Sequence, residues 1–150
     1  MLIQTLQSLF KRDLLKLRSE IEMYRDEQVI WSTEQQIPNS AGNLVLHLVG
    51  NLNTFIGAEL GKSGYIRNRD LEFSLKDIPR AELIHKIDAT IEVVQAALAS
   101  LTDADLDKEY PIVVFADKMS VAYFLVHLAT HLSYHLGQVN YHRRLLDTIA

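Results

Sequence analysis

The spacing of apolar residues is the feature that most limits the folds open to this chain. Four long segments repeat apolar side chains every three or four positions, which is the period of an α-helix with one buried face. These segments are residues 2–30, 40–60, 79–101 and 120–146. The three prolines, at positions 38, 79 and 111, lie where a helical pattern begins or fails. The sequence therefore predicts an all-α fold, a four-helix bundle formed by a single domain over residues 1–150.

The connections between the predicted helices differ in length. The first connection is short, so the first two helices are expected to be antiparallel. The second connection, a polar loop over residues 62–78, and the third, residues 102–119, are long. The order and direction of the helices that they join therefore stay open. Residues 110–115 (Tyr-Pro-Ile-Val-Val-Phe) are expected to form a short strand or ribbon over the bundle.

Composition excludes several classes of function. Fifteen Lys and Arg residues against 19 Asp and Glu residues give a net charge of −4, which argues against a nucleic-acid-binding protein. The chain has no cysteine, so disulfides, thiolate metal ligands and a cysteine nucleophile are excluded. No segment is apolar enough to span a bilayer. Residues 1–12 are amphipathic and have no apolar h-region, so we expect no secretory signal. We expect a soluble, cytoplasmic protein that acts on a small molecule, with no nucleic-acid or membrane partner.

Two of the predicted helices carry no charge. Residues 35–58 and 119–142 contain no Asp, Glu, Lys or Arg, whereas a helix at the surface normally carries some. The second and fourth helices are therefore expected to be enclosed on most sides. The second helix is apolar around most of its circumference, which is consistent either with a homodimer contact or with a deeper core. The charge-free stretches contain five of the six histidines: His47, His127, His131, His135 and His142.

Three histidines form one stripe on the fourth helix. His127, His131 and His135 are spaced four residues apart, and Gln138 continues the stripe. Two imidazoles four positions apart can bind one metal ion. His127 and His135 cannot share an ion, because about 12 Å of helix rise separates them. One ion would therefore take an adjacent pair, and His131 belongs to either pair.

A third ligand has to come from another helix. His47 is the only histidine of the second helix, and Asn43 and Asn51 on the same stripe could hold the ligands by hydrogen bonds. Three imidazoles favour zinc, nickel, copper or iron over magnesium or calcium, and three protein ligands leave a position open for water or substrate. The alternative is that the histidines are hydrogen-bonded core residues.

The loop over residues 62–78 contains further candidate residues. Arg67 and Arg69 could bind an anion, although charged runs in loops are often simply solvated. A metal-bound water would need a general base, and the charge-free helices supply no carboxylate. Asp70, Glu72 or Asp117 from the loops could supply that base.

Three segments resemble the DinB/YfiT-like superfamily of metal-dependent enzymes. Residues 39–52 (NSAGNLVLHLVGNL) resemble the second-helix segment that supplies its first ligand. Residues 127–142 (HLATHLSYHLGQVNYH) resemble its fourth helix, in which two histidines four apart precede a Gly-Gln pair. Residues 67–73 (RNRDLEF) resemble a loop signature of one uncharacterised branch.

The resemblance implies a ligand set and a class of chemistry. The matching ligands are His47, His131 and His135, while His127 matches an extra histidine that is not usually a ligand. The implied fold is a bundle in up-down-down-up order, and dimers are common among such proteins. Some relatives are transferases or isomerases that use an external low-molecular-weight thiol such as bacillithiol or mycothiol. Metal-dependent hydrolysis and a non-catalytic, stress-associated metal-binding dimer are the alternatives.

Overall fold

Six α-helices form the computed structural model, which describes residues 1–148. A 3₁₀ segment, Glu27–Trp31, follows the first helix, and a π-helical segment, Asn53–Ala58, extends the second. The helices are α1 (Leu2–Met23), α2 (Ala41–Leu52), α3 (Arg69–Ser74), α4 (Arg80–Ala99), α5 (Asp103–Leu106) and α6 (Val121–Leu146). The described residues contain no strand. The predicted all-α fold is confirmed.

The four long helices, α1, α2, α4 and α6, pack around a shared core. α1 lies against α4 and α6, and α2 contacts the same two helices. Each long helix contributes apolar side chains that are removed from water, among them Phe10, Leu48, Val94 and Leu132. Burial of such side chains is the main stabilising contribution to a fold of this kind. None of the helices in residues 1–148 is long and apolar enough to cross a membrane.

The first helix ends earlier than its apolar pattern predicts. α1 stops at Met23, and Tyr24 has an extended backbone with ψ of 125°. The Tyr24 side chain is buried, and its hydroxyl lies 2.7 Å from Nδ1 of His142 on α6. The backbone amides of Arg25 and Asp26 donate to the carboxylate of Asp147. These contacts with the end of α6 turn the chain out of the helix, so the prediction of a helix to residue 30 is wrong.

The connection over residues 62–78 is not simply a loop, because it contains α3. The Asn68 side chain accepts a hydrogen bond from the amide of Leu71, which caps the helix, and Asp70 and Glu72 lie in its first turn. Both features favour a helix N-terminus. The side-chain amide of Asn43 on α2 donates to the carbonyls of Glu72 and Leu75, both at 2.9 Å. Asn43 therefore holds α3 against α2.

The predicted strand over residues 110–115 is also wrong. Pairing in this connection is limited to one isolated bridge between Glu109 and Ser120. The amide of Tyr110 donates to the carbonyl of Met119, and its buried side chain points into the core. Pro111 follows directly, and proline has no N–H with which to extend a ladder.

The two charge-free helices differ in exposure. In α2 every side chain except that of Val49 is buried, covered by α3, α4 and α6. The apolar circumference of α2 is thus accounted for within the chain, as the deeper-core alternative proposed. α6 is not enclosed, because its outer face exposes uncharged side chains to solvent. These are Tyr123, Val126, Tyr134, Tyr141 and Leu145.

Candidate metal centre

Three histidines from two helices meet where α2 packs against α6. His47 from α2 and His131 and His135 from α6 each offer one ring nitrogen, and these nitrogens lie within 4.8 Å of one another. Nε2 of His47 is 3.3 Å from Nε2 of His131. Two nitrogens of a tetrahedral zinc site, each about 2.05 Å from the ion, are about 3.3 Å apart. The three histidines are therefore close enough to bind one ion.

Glu72 orients the ring of His47. Its Oε1 lies 3.1 Å from Nδ1 of His47, and the residue is only 6% exposed. A carboxylate at that distance accepts a hydrogen bond from the protonated Nδ1. The lone pair of His47 is then on Nε2, the nitrogen on the side of the other histidines. Arg67 holds Glu72 in turn, with Nε at 2.8 Å from Oε2 and Nη2 at 2.9 Å from Oε1.

The two histidines of α6 have different partners. Nδ1 of His135 lies 2.7 Å from Oε1 of Gln138, one turn further along the helix. The Gln138 oxygen accepts a hydrogen bond from Nδ1 of His135, so the lone pair of His135 is on Nε2 and can bind a metal ion. Nδ1 of His131 is buried and has no hydrogen-bond partner in the described part of the chain. Because Nδ1 of His47 donates to Glu72, Nε2 of His47 carries a lone pair. A hydrogen bond between the two Nε2 atoms therefore requires the proton of His131 to lie on its Nε2.

Their surroundings keep His47 and His131 neutral. Burial and the neighbouring His135, His47, His127 and Arg67 together lower the pKa of His131 to about 4. Burial also lowers the pKa of His47, although its hydrogen bond to Glu72 opposes this shift. Imidazole binds a metal in its neutral form. His47 and His131 can therefore act as ligands at neutral pH with no net loss of a proton, and binding through Nε2 of His131 requires its proton to move to Nδ1.

The remaining candidates on the histidine stripes lie around this group. His127 does not belong to the three-histidine group; its ring stacks on Phe124 at an interplanar angle of 12°. Asn43 supports α3, and the hydrogen bonds of its side chain in the described residues go to Ser40, Glu72, Leu75 and Lys76 rather than to a histidine. Asn51 is 7% exposed, and its Oδ1 has no hydrogen-bond partner among residues 1–148. His142 lies apart, between the hydroxyl of Tyr24 and the carbonyl of Ser32.

The candidate residues of the loops do not all lie at the histidine group. Arg67 and Glu72 belong to the histidine group, and the exposed Arg69 lies at the edge of an adjoining cavity. Asp117 lines a different surface pocket with Phe115 and Tyr123. Asp70 is exposed on α3.

A cavity of about 470 Å³ adjoins His47 and His131. Its walls include the aromatic rings of Phe55, Phe115 and Phe124, which the sequence analysis did not single out. Phe55 and Phe124 lie within the charge-free stretches and follow the ordinary apolar pattern. The sequence therefore contained no signal that separates them from core residues. The cavity provides room for a small molecule beside the three histidines.

One comparison with known proteins matched this chain. A family model described as "Protein of unknown function (DUF1572)" matches residues 2–148. The match includes all six helices, and with them His47, Glu72, His131 and His135. A search of curated proteins found no match.

Proposed function

The chain belongs to the DUF1572 protein family, and we propose that it is a metal-binding protein of the DinB/YfiT-like type. His47, His131 and His135 hold one divalent transition metal ion. The observation that carries this proposal is the convergence of their ring nitrogens within 4.8 Å, from two helices that the sequence separates by more than 80 residues. Glu72 and Gln138, each bound to the outer nitrogen of one ring, support it.

The donor set favours certain metals. Imidazole nitrogen suits zinc, nickel, iron or copper, whereas magnesium and calcium prefer oxygen ligands. Three protein ligands leave a coordination position open, as in catalytic sites. An ion held there would supply Lewis acidity, which lowers the pKa of a bound water or thiol. The cavity beside His47 and His131 lies where a substrate could reach that position.

Transfer of an external low-molecular-weight thiol is the reaction class that we favour. Hydrolysis would need a carboxylate or another base near the open position. Both oxygens of Glu72 are occupied by Arg67 and His47, and no Asp or Glu among residues 1–148 lines the cavity. The chain has no cysteine, so the thiol would come from outside. Metal-dependent hydrolysis remains the second candidate.

A non-catalytic role is the remaining alternative, in which the chain is a metal-binding, stress-associated dimer. Metal would then only stabilise the fold. This alternative predicts that removing the metal lowers the melting temperature and abolishes no reaction. A thiol-dependent enzyme would lose its turnover together with the metal.

Metal analysis tests the shared premise. We expect protein purified without a histidine tag to contain about one transition metal ion per chain, and the double variant His131→Ala/His135→Ala to contain none. His85→Ala is the matched control, because His85 is exposed on α4 and lies outside the group. Stoichiometric metal in the double variant would contradict the proposal.

A further inference from the structure

The cavity beside the three histidines has a size and a lining that indicate a particular class of ligand. Its volume of about 470 Å³ is within the range of roughly 300–1,000 Å³ that is typical of small-molecule sites. It is bounded on one side by His47 and His131 and on the other by side chains that the metal would not use. Those side chains determine what can bind there.

One part of the lining is aromatic. The rings of Phe55 and Phe124 are 5.2 Å apart in an edge-to-face arrangement, and Phe115 lies 6.0 Å from Phe124. Phe115 is 48% exposed, so part of this aromatic wall remains in contact with water. A flat apolar body placed against these rings would remove apolar surface from water and could add edge-to-face contacts.

The other part of the lining is polar, with an uncompensated positive charge. Arg67 is neutralised by Glu72, but Arg69 has no carboxylate within salt-bridge distance among residues 1–148. The only interaction found for its guanidinium there is with the ring of Phe73, at 6.0 Å. No carboxylate of the described residues lines the cavity, although the chain as a whole has a net charge of −4. The charge at the cavity mouth is therefore opposite in sign to that of the molecule.

Asn51 is a second polar feature of the lining. It is 7% exposed and lines the cavity, and its Oδ1 is buried with no hydrogen-bond partner in the described residues. A buried amide oxygen is normally hydrogen-bonded. A ligand hydroxyl or N–H group in the cavity would satisfy it.

We propose that this cavity binds a small organic acid with an aromatic or other flat apolar body. The acid group pairs with Arg69, because guanidinium binds carboxylate and related anions well. The apolar body lies against Phe55, Phe115 and Phe124, and a polar group on it bonds to Asn51. The inference rests on the proposed function in treating this ligand as the substrate, but the residues that recognise the acid are not metal ligands.

Calorimetric binding of 6-hydroxy-2-naphthoate and its neutral analogue 6-(hydroxymethyl)-2-naphthol, an alcohol with the same ring hydroxyl, tests the proposal on metal-free and on zinc-loaded protein. We expect the acid to bind more tightly than the alcohol in both forms. We expect Arg69→Gln to weaken binding of the acid by about threefold to tenfold and to leave binding of the alcohol unchanged. Arg144→Gln is the matched control, because Arg144 is exposed on α6 away from the cavity and should change neither ligand. Phe115→Ala should weaken both ligands.

The outcomes separate this inference from the metal proposal. Equal binding of acid and alcohol, or an Arg69→Gln variant that binds the acid as well as the unmodified chain, would overturn it. Acid binding that requires zinc and ignores Arg69 would also overturn it, because the carboxylate would then lie on the metal. A chain that binds no zinc but still prefers the acid through Arg69 would support this inference and contradict the metal proposal.

Discussion

Glu72 determines which nitrogen of His47 faces the other two histidines. Its carboxylate accepts a hydrogen bond from Nδ1 of His47 and two from Arg67, and it is almost fully buried. Partners of this kind set the tautomer and orientation of a ligand and raise its basicity. Under the proposed function, Glu72 is therefore expected to position a metal ligand rather than to act as a base.

Replacing Glu72 by Gln tests that role. We expect Glu72→Gln to lower metal affinity by about tenfold to 100-fold, because an amide accepts the His47 proton weakly and leaves Arg67 without a charged partner. Competition titration with a chromophoric chelator measures the affinity. Asp70→Asn removes the same charge from an exposed position of α3 and should change nothing. Equal affinities for the two variants would show that Glu72 does not position the ligand.

At the scale of elements, the contact between α2 and α3 is what brings Glu72 to His47. α3 lies so close to α2 that a Cβ added at Gly50 would clash with the Glu72 carboxylate, at 2.6 Å from its Cδ. Asn43 holds the other side of this contact through two hydrogen bonds. Gly50 therefore permits the close approach of the two helices that the site requires.

A pair of glycine substitutions separates this packing effect from helix propensity. Gly50→Ala should lower both the melting temperature and the metal affinity, because the added methyl group displaces Glu72. Gly137→Ala on α6 should be neutral or stabilising by up to about 1 kcal/mol, since a Cβ there meets nothing within 4 Å. Thermal unfolding and metal titration of both variants make the comparison. An unchanged metal affinity in Gly50→Ala would mean that α3 is not needed at this position.

At the scale of the whole molecule, buried histidines link stability to pH. The pKa of His131, His47 and His142 is lowered by burial. In the unfolded chain histidine takes up a proton near pH ~6.5, while the folded chain holds these rings neutral to lower pH. The unfolded state then binds more protons, so stability present at neutral pH is lost as the pH falls below about 6.5.

The metal content of the protein should also decrease as the pH falls. Titration of the metal-loaded protein from pH 7.5 to 5 should lower the melting temperature and the metal content together, because protons compete with the ion for His47, His131 and His135. The metal-free His131→Ala/His135→Ala variant should retain only the smaller loss that arises from His47 and His142. Full retention of metal at pH 5 would count against an all-histidine site. A constant melting temperature during metal release would mean that the ion contributes nothing to the fold.

The sequence placed the homodimer contact on the second helix, but that helix is buried within the chain. We propose that the contact lies on the outer face of α6 instead. Five exposed apolar or aromatic side chains run along this helix, and residues 119–142 carry no charge. Two copies meeting through the same face by a two-fold axis would bring few charges together, because the exposed charge beside it is Arg144, which lies over the ring of Tyr141 at 5.4 Å. A second copy of the chain is therefore the partner that we expect on this face.

Sedimentation at tens of micromolar checks this prediction. The unmodified chain should sediment as a dimer, and Tyr134→Lys/Tyr141→Lys should sediment as a monomer, because two positive charges per copy would repel at the interface. Ile66→Lys, an exposed loop substitution, should leave the dimer intact. A monomeric unmodified chain would contradict the prediction.

The sequence by itself determined the all-α class, the approximate extents of the long helices and the common face of His131 and His135. These properties follow from the period of the helix, which is set by hydrogen bonds between neighbouring residues. The same pattern could not show that α1 ends at Met23, because the end depends on contacts of residues 24–26 with the distant end of α6. Nor could the absence of charge distinguish the enclosed α2 from α6, since uncharged side chains can face either core or solvent.

Tertiary structure alone decided the surroundings of the metal site. It placed Glu72 and Arg67 against His47, excluded His127 from the group, and formed the aromatic wall beside it. Each of these contacts joins residues that are distant in the chain or lie on different helices. Their distances depend on how whole helices pack, because local backbone geometry sets the period within a helix but not its position against its neighbours.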